Sequence, residues 1–425
     1  MKLSQLAKRL LAVASTVGLA LLITSCGASN TIDFIYVTAN QQDPGKINAY
    51  QVDSVSGALY QIPDSPYSSG GRNPVYDVTT PNGNFLYVAN HDDNTIVEFA
   101  IGIDGKLYPL QTVNTPGTEP VALAINSSGT YLYVLDYYAP AAPGQASYTD
   151  LNPGPGAVMV MPINQQNGHL GAALTVGAAN YWDVQCFPTN LAVTPDGGYL
   201  YVTNTNSVVV TTSPPVTGTV PTRPAACPDS GNVSGFKVDG TTTGGAQTVT
   251  GLTPIAGSPF SAGTGAGPTG IIADPDNGAL YVTDGIQNLL DTYTIGSGGV
   301  LSLVSQVSTG TMPMGALVVN TGSTGKYLYV TNYQDGSISS YSLNTGTPVS
   351  LTTTSSGASG PLCLLVDPET SRLMYIANYT GNQVGGLLLD PTTGGLITNM
   401  NQPYPTAGQP TCVAGVAHPG NPQGL

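Results

Sequence analysis

The chain has 425 residues, of which 53 are glycine and 34 are proline, and only 8% are charged. Tyrosine occurs 24 times against a single tryptophan, a composition typical of many short strands and tight turns with aromatic packing. The formal net charge of −14 argues against nucleic acid as a partner, because an acidic surface repels phosphate groups.

The N-terminus is predicted to be a signal peptide. Three basic residues precede an uncharged apolar run over residues 10–25, which is too short to span a bilayer comfortably as a mature helix. The run ends in Ile23-Thr24-Ser25-Cys26, which resembles the bacterial lipobox, a signal whose cysteine is acylated and becomes the first mature residue. We therefore predict a signal peptide over residues 1–25 and a lipid anchor at Cys26. An ordinary signal peptide with a chance cysteine is the alternative.

The mature chain is expected to be exported and anchored to a membrane of the cell envelope through Cys26. No later stretch has the pattern of a transmembrane helix. Gly27 resembles the residue found after the acylated cysteine in lipoproteins sent to an outer membrane. From Cys26 onward 7 basic and 24 acidic residues remain, so the net charge becomes −17. We predict no cofactor and no metal site, because the sequence has neither a CxxC pair nor a Cys/His cluster.

An internal repeat dominates the rest of the sequence. A short strand with the pattern aliphatic-Tyr-aliphatic, ending at Asn or Asp, recurs seven times. We call these the Tyr strands, and their tyrosines are Tyr36, Tyr87, Tyr133, Tyr201, Tyr281, Tyr329 and Tyr375. The usual spacing of roughly 45 residues is typical of a four-stranded propeller blade. We interpret the Asn or Asp at the end of each strand as structural, since such residues bond local backbone.

A second phrase precedes most Tyr strands and also recurs seven times. It begins at a proline, continues as an apolar strand and ends in a turn such as Pro195-Asp196-Gly197. Its prolines are Pro74, Pro120, Pro188, Pro268, Pro313, Pro361 and Pro410. We therefore predict four strands in each blade: an inner strand, a Tyr strand, a third strand and a fourth strand. The fourth is marked by Gly-x-Leu, as in Gly105-Lys106-Leu107.

The order of the two phrases predicts how the ring closes. The first Tyr strand has no inner strand before it, and the last inner strand, beginning at Pro410, has no Tyr strand after it. Placing the last strand in the first blade would protect both open edges. The sequence thus predicts an all-β, seven-bladed β-propeller of four-stranded antiparallel blades over residues 32–425, after a linker at residues 26–31.

The phrase Leu200-Tyr201-Val202-Thr203-Asn204, preceded by a Pro-Asp-Gly turn, resembles the YVTN repeat of lactonase-family seven-bladed propellers. The resemblance covers nearly all of residues 32–419 and implies the fold. It also suggests activity like that of 6-phosphogluconolactonases. The enzymes of this family tend to present Arg and His on the inner strands as Pro-Arg-His. Here the corresponding triplets, such as Pro74-Val75-Tyr76, carry neither residue.

One group of charged residues could form a site at the face where the inner strands begin. Arg72, His91 and Glu119 come from neighbouring blades, and Asp92 lies beside His91. His91 or Glu119 could act as a base on water, with Arg72 polarising a carbonyl. The alternative is that they are solvated loop charges.

Two insertions are expected to form a lid on that face, at residues 137–156 and 205–231. Tyr137, Tyr138, Tyr181 and Trp182 could form an aromatic shelf for a sugar ring or a peptide. Packing of the insertions onto the propeller is the alternative.

Four cysteines remain after Cys26, an even number that suits an exported protein with disulfides. We predict a disulfide between Cys186 and Cys227, which tie an insertion to the mouth of the ring. Cys363 and Cys412 occupy equivalent places on adjacent inner strands and are predicted to face each other. Whether they bond depends on their Cα separation.

The leading functional hypothesis is a binding propeller at the envelope that presents the lidded face to a glycan, peptide or envelope protein. The alternative is a lactone hydrolase acting on a sugar lactone or related lactone. A purely architectural protein without a ligand-sized pocket is the third possibility.

Overall fold

The computed structural model describes residues 31–419, with gaps at 142–143, 150–151, 206–226, 228–229, 277 and 399–401. The predicted signal peptide and the predicted lipid anchor, Cys26, lie outside the described residues. Within the described part, no helix has the length and apolar character needed to cross a bilayer.

Strands make up nearly all of the secondary structure of the first four blades. The first blade contains β1 (Thr31–Ala39), β2 (Lys46–Asp53), β3 (Leu59–Gln61) and β4 (Tyr67–Ser68). The second contains β5 (Pro74–Thr79), β6 (Phe85–Asn90), β7 (Thr95–Ile101) and β8 (Leu107–Asn114). The third contains β9 (Thr118–Ile125), β10 (Tyr131–Tyr138), β11 (Pro155–Pro162) and β12 (Trp182–Cys186). The fourth contains β13 (Pro188–Val193), β14 (Tyr199–Asn204), β15 (Asn232–Thr243), β16 (Ala246–Pro254) and β17 (Phe260–Ser261).

The remaining blades repeat this plan. The fifth contains β18 (Pro268–Ala273), β19 (Ala279–Asp284), β20 (Leu289–Ile295) and β21 (Leu301–Ser308), with one short 3₁₀ turn (Ser297–Gly299). The sixth contains β22 (Pro313–Asn320), β23 (Lys326–Asn332), β24 (Ser337–Ser342) and β25 (Val349–Ser355). The seventh contains β26 (Pro361–Val366), β27 (Leu373–Asn378), β28 (Gln383–Leu389), β29 (Leu396–Thr398) and β30 (Tyr404–Pro405). The last strand is β31 (Pro410–Ala417).

The ring closes as the sequence predicted. Strand β31 pairs antiparallel with β1, so the end of the chain supplies the inner strand of the first blade. Seven separate sheets result, and each has its inner strand and its Tyr strand side by side. The prediction of a seven-bladed β-propeller with this closure is confirmed.

The core is divided among the interfaces between blades. Seven hydrophobic clusters are present, one between each pair of neighbouring blades. Successive residues of a Tyr strand serve opposite interfaces, because side chains alternate across a sheet. Tyr87 packs toward the third blade, whereas Leu86 and Val88 pack toward the first.

Five of the seven repeated tyrosines bond their blade to the next one. The Tyr36 hydroxyl donates to the carbonyl of Gly105 at 2.9 Å, and Tyr87 donates to Gly168 at 2.7 Å. Each acceptor lies in the turn before the outer strand of the following blade. Three further pairs follow the same rule: Tyr201 with Gly299, Tyr329 with Gly394, and Tyr375 with Gly57. The last of them joins the seventh blade to the first.

The acceptors of this contact are glycines for two reasons. Gly168 has a φ of 76°, in the left-handed region where a side chain is strained. A Cβ added there would also collide with the ring of Phe85, two residues before the bonded Tyr87. The Gly-x-Leu phrase and the Tyr strand are therefore two halves of one contact.

Threonine and asparagine in the Tyr strands complete the docking. The hydroxyl of Thr283 donates at 3.0 Å to the Met314 carbonyl on the next inner strand. The Asn332 side chain, which is buried, accepts the N–H of Gly310 at 3.0 Å and so fixes the connection into its own blade. These contacts support the structural interpretation of the terminal Asn or Asp.

We predict that Tyr87→Phe lowers the free energy of unfolding by about 1–3 kcal/mol, because it leaves the buried Gly168 carbonyl without a donor. Tyr133→Phe is the matched control. The Tyr133 hydroxyl is buried and has no hydrogen-bond partner among the described residues, so its removal should cost almost nothing. Urea unfolding of both variants measures the difference, and equal losses would contradict the docking role.

Several buried carboxyl groups make the stability depend on pH. Burial and, to a smaller extent, the neighbouring Asp367 carboxylate together raise the pKa of Asp33 to about 8. Burial likewise raises the pKa of Asp136 to about 8 and that of Asp291 to about 6. The folded state therefore retains protons that the unfolded chain releases above its ordinary pKa of about 4.

Because these pKa values are raised on folding, stability should fall as the pH rises from about 4 to about 8. We predict that Asp33→Asn reduces this fall by up to a few kcal/mol, since an amide has no proton to lose. Asp53→Asn is the control. Hydrogen bonds from Ser56 lower the pKa of Asp53, so this residue affects the pH dependence of stability only below about pH 4. Unchanged pH dependence in the Asp33 variant would contradict the assignment.

Candidate functional site

The seven inner strands surround a cavity of about 470 Å³ on the axis of the ring. We call this cavity the channel, and the end where the inner strands begin is its mouth. The wall is formed mainly by apolar side chains. The inner-strand triplets contain neither Arg nor His. The described residues of these triplets therefore bring no cationic side chain to the channel wall.

The residues just before the inner-strand prolines form the rim of the mouth. Asn73, Glu119, Phe187 and Met312 all occupy this position, with left-handed φ values of 51°, 60°, 57° and 58°. The conformation recurs in four blades, so it belongs to the way each chain segment enters its inner strand. The unusual backbone of Glu119 is therefore no sign of catalysis by itself.

His91 lies at the rim immediately after the Tyr strand β6. It is 6% exposed, and its backbone N–H donates to the Asn73 carbonyl at 3.0 Å. Its Nδ1 is 2.8 Å from Oδ1 of Asp92, and its Nε2 is 3.8 Å from Oε2 of Glu119. Among the described residues, Nε2 has no hydrogen-bond partner. The structure thus brings three of the predicted site residues together.

Asp92 orients the imidazole. The hydrogen bond from His91 lowers the pKa of Asp92, and the amide of Asn73, which donates to Oδ1 at 3.0 Å, lowers it as well. A carboxylate only accepts hydrogen bonds, so Nδ1 carries the proton in the neutral ring. Nε2 is then left with a lone pair, which is the arrangement required of a general base.

Asn73 is in turn held by a network that sequence reasoning missed. Asn40 donates to Oδ1 of Asn73 at 3.2 Å and approaches the hydroxyl of Tyr379 at 3.4 Å. The three residues come from the first, second and seventh blades. Each of the three residues lies at one end of a repeat phrase. Only their shared position at the rim of the ring could have indicated that they meet.

Arg72 does not join this cluster. Its Nε donates to Asp93 at 2.7 Å, its Nη2 lies 2.6 Å from the same oxygen, and its backbone N–H also bonds Asp93. This pairing lowers the pKa of Asp93, and the guanidinium stays largely exposed. Nη2 also donates to the backbone carbonyl of Asp92 at 3.1 Å, so Arg72 is held beside the cluster. Its predicted role in polarising a carbonyl stays a prediction.

The aromatic residues predicted as a shelf are mostly inside the protein. Tyr137, Tyr138 and Trp182 are 3%, 1% and 7% exposed and pack in the cluster between the third and fourth blades. Trp182 begins β12, the outer strand of the third blade, far from the inner strands. Tyr181 is half-buried, so it alone of the four offers surface to a ligand. The packing alternative describes the other three.

The predicted disulfide between Cys186 and Cys227 is confirmed, and the second pair, whose bonding was left open, is also bonded. Cys186 and Cys227 are bonded with a Cα separation of 5.5 Å, which ties the insertion of the fourth blade to the end of β12. Cys363 and Cys412 are bonded with a Cα separation of 4.9 Å and line the channel. The second bond joins the closing strand β31 to the seventh blade, so it fastens the seam of the ring.

A metal centre finds no support in the described residues. None of their His, Cys, Asp and Glu side chains form a group of three or more that could hold an ion. Asp77, on the inner strand β5, is a channel residue that no sequence motif indicates.

The sequence matches the family model described as "Lactonase, 7-bladed beta-propeller" over residues 77–138 and 247–414, more than half of the chain. No curated protein matches it significantly. Among solved structures, the periplasmic gluconolactonase of Pseudomonas aeruginosa is 18% identical with a TM-score of 0.69, covering 92% of this chain and 100% of that one.

Two further structures are similar. A candidate 6-phosphogluconolactonase from Bacteroides fragilis is 18% identical with a TM-score of 0.67, over 92% of this chain and 99% of that one. A protein from Lactobacillus plantarum is 17% identical with a TM-score of 0.65, over 91% and 99%. At such identities the likeness concerns the fold.

Proposed function

Because the chain belongs to the lactonase family of seven-bladed β-propellers, we propose that it hydrolyses an uncharged lactone at the mouth of the channel. The observation that carries the proposal is the His91–Asp92 pair on the rim. Nε2 of His91 has no hydrogen-bond partner among the described residues. This is the alternative that the sequence left open. Family membership favours it over a pure binding scaffold.

The proposed reaction uses His91 as a general base. Nε2 takes a proton from water, and the resulting hydroxide attacks the lactone carbonyl carbon. The tetrahedral intermediate then breaks its ring C–O bond, and the imidazolium returns the proton to the leaving alkoxide oxygen. The product is a hydroxy acid. Asp92 and Glu119 stabilise the imidazolium while it exists, since both carboxylates lie within 4 Å of the ring nitrogens.

Access to His91 sets a condition on this mechanism. Nε2 is shielded from solvent, and the side chain of Glu119, which is 34% exposed, is its charged neighbour. A change of rotamer at Glu119 would admit water and substrate. The proposal therefore includes an opening motion at Glu119, a small movement compared with those of enzyme lids.

The charges near the site favour an uncharged substrate. A phosphorylated sugar lactone needs cationic partners. Arg72, the cation beside the cluster, is already paired with Asp93, and the surrounding carboxylates would repel a phosphate. The net charge of −17 from Cys26 onward acts in the same direction.

We predict that His91→Ala lowers lactone turnover by about 10²–10⁴-fold, the usual contribution of a general base. His169→Ala is the matched control, because His169 also bonds a carboxylate, Glu98, at 2.9 Å but serves the contact between the second and third blades. The assay is hydrolysis of a panel of sugar and aliphatic lactones by the domain that follows Cys26. Turnover that survives His91→Ala unchanged would rule out this mechanism.

A binding propeller is the second candidate, favoured by the shielding of Nε2 and by the absence of Arg and His from the inner-strand triplets. Its partner would be a glycan, peptide or envelope protein. No turnover on any lactone, together with binding of such a partner, would select this candidate.

We also propose that the protein is an exported lipoprotein, anchored in the cell envelope through Cys26. The support is the sequence of residues 1–27. Cys26→Ser should move the protein from the membrane fraction to the soluble fraction and remove the acyl mass from the intact protein. Membrane association that persists in this variant would contradict the anchor.

A further inference from the structure

Most of the side chains that line the channel are apolar. Its wall includes, from different inner strands, Val121, Leu123, Leu191, Ile271, Leu364 and Val413. A volume of about 470 Å³ is within the range of small-molecule sites. Burying apolar ligand surface against such a wall is favourable, whereas burying unpaired hydroxyls is not.

Three of the hydroxyl groups on the wall are already used by the fold. The hydroxyl of Thr189 donates to the Pro268 carbonyl at 3.2 Å, and that of Thr269 donates to the Pro313 carbonyl at 2.6 Å. Thr411 likewise donates to the carbonyl of Pro74 at 2.9 Å. A sugar ring inside the channel would therefore find few free partners for its hydroxyls.

Asp77 is the one carboxyl on the wall among the described residues. It is 3% exposed, and neither of its oxygens has a partner of good hydrogen-bond geometry in the described part of the chain. Burial raises the pKa of Asp77 well above its ordinary value, although the nearby backbone amides of Asp77 and Thr38 oppose the shift. Burial therefore favours the neutral form of this carboxyl, and the described residues of the wall include no Lys, Arg or His.

The channel begins directly beneath the His91 cluster. Val75 follows Pro74 and the rim residue Asn73, whose carbonyl accepts the His91 N–H. Val121 follows Pro120 and Glu119 in the same way. Inner strands of six to eight residues extend the wall for roughly 20 Å at about 3.3 Å per residue. A ligand with a polar head at the rim and a long apolar tail below it would match both the polar rim and the mainly apolar wall of the channel.

We propose that the substrate is an aliphatic lactone, with its ring at the His91 cluster and its alkyl tail in the channel. The position of the ring rests on the proposed hydrolase function. The position of the tail rests on the channel alone, so binding and turnover can be tested separately.

The test is equilibrium binding of two lactones that share one ring, γ-dodecalactone with its long alkyl tail and γ-butyrolactone without one. Binding is measured by calorimetry on the His91→Ala protein, so that hydrolysis does not disturb the titration. Each methylene buried should tighten binding about fourfold. We therefore expect the long-tailed lactone to bind at least about 100-fold more tightly.

A second variant locates the tail. Ala316 lines the channel, and Ala316→Phe narrows it, whereas Ala172→Phe adds the same bulk at an exposed position. The first should remove most of the preference for the long tail, and the second should leave it unchanged. If Ala316→Phe does not fold, the comparison of the two lactones on the His91→Ala protein still tests whether the alkyl tail contributes to binding.

The outcomes separate this inference from the proposed function. Tight binding of the long-tailed lactone without turnover by the native protein would support the channel site and refute the hydrolase. Equal affinity for the two lactones would overturn the channel site even if turnover were found. Preference for the long tail that survives Ala316→Phe would also overturn it, because the tail would then lie elsewhere.

Discussion

The structure depends on one contact, the hydrogen bond from a Tyr-strand hydroxyl to a glycine carbonyl in the next blade. A propeller blade buries little within itself, and its stability comes from its two neighbours. Five tyrosines make this bond, and Tyr375 makes it across the seam to Gly57 in the first blade. Closure of the ring therefore uses the same chemistry as four other interfaces, reinforced by the pairing of β31 with β1 and by the Cys363–Cys412 disulfide.

This contact explains which residues are free for function. The tyrosine, threonine and asparagine of each repeat are occupied in docking blade to blade or strand to connection. Chemistry must then come from positions where one blade departs from the repeat. His91 and Asp92 are such a departure, because the residues after the other Tyr strands do not form a His–carboxylate pair in the described chain. The rim supplies the rigid frame, through Asn73 and Asn40, on which that pair is held.

The fold could be predicted from the sequence because its signal is repeated seven times. The offset of the two phrases at the ends of the chain was enough to predict closure. The sequence did not show that the Tyr strand and the Gly-x-Leu phrase meet, because the two partners are 69 residues apart at Tyr36 and Gly105. Contacts between blades depend on the geometry of the ring.

The site was predicted less completely, for reasons that are local. His91, Asp92 and Glu119 meet because rim positions of neighbouring blades are adjacent, which the repeat alone indicates. Arg72 is held beside them by Asp93, which accepts hydrogen bonds from both the backbone and the side chain of Arg72. Tyr137, Tyr138 and Trp182 are buried because large aromatic side chains gain more from packing between blades than from exposure. No sequence pattern distinguishes these outcomes.

The most direct test of the account is a crystal structure of the mature domain, with His91 replaced by Ala, bound to γ-dodecalactone. We predict that the lactone ring lies at the rim beside Asp92 and Glu119 and that the alkyl tail extends into the channel between the inner strands. A lactone bound on the outer strands, or a channel that stays empty at saturating lactone, would contradict it.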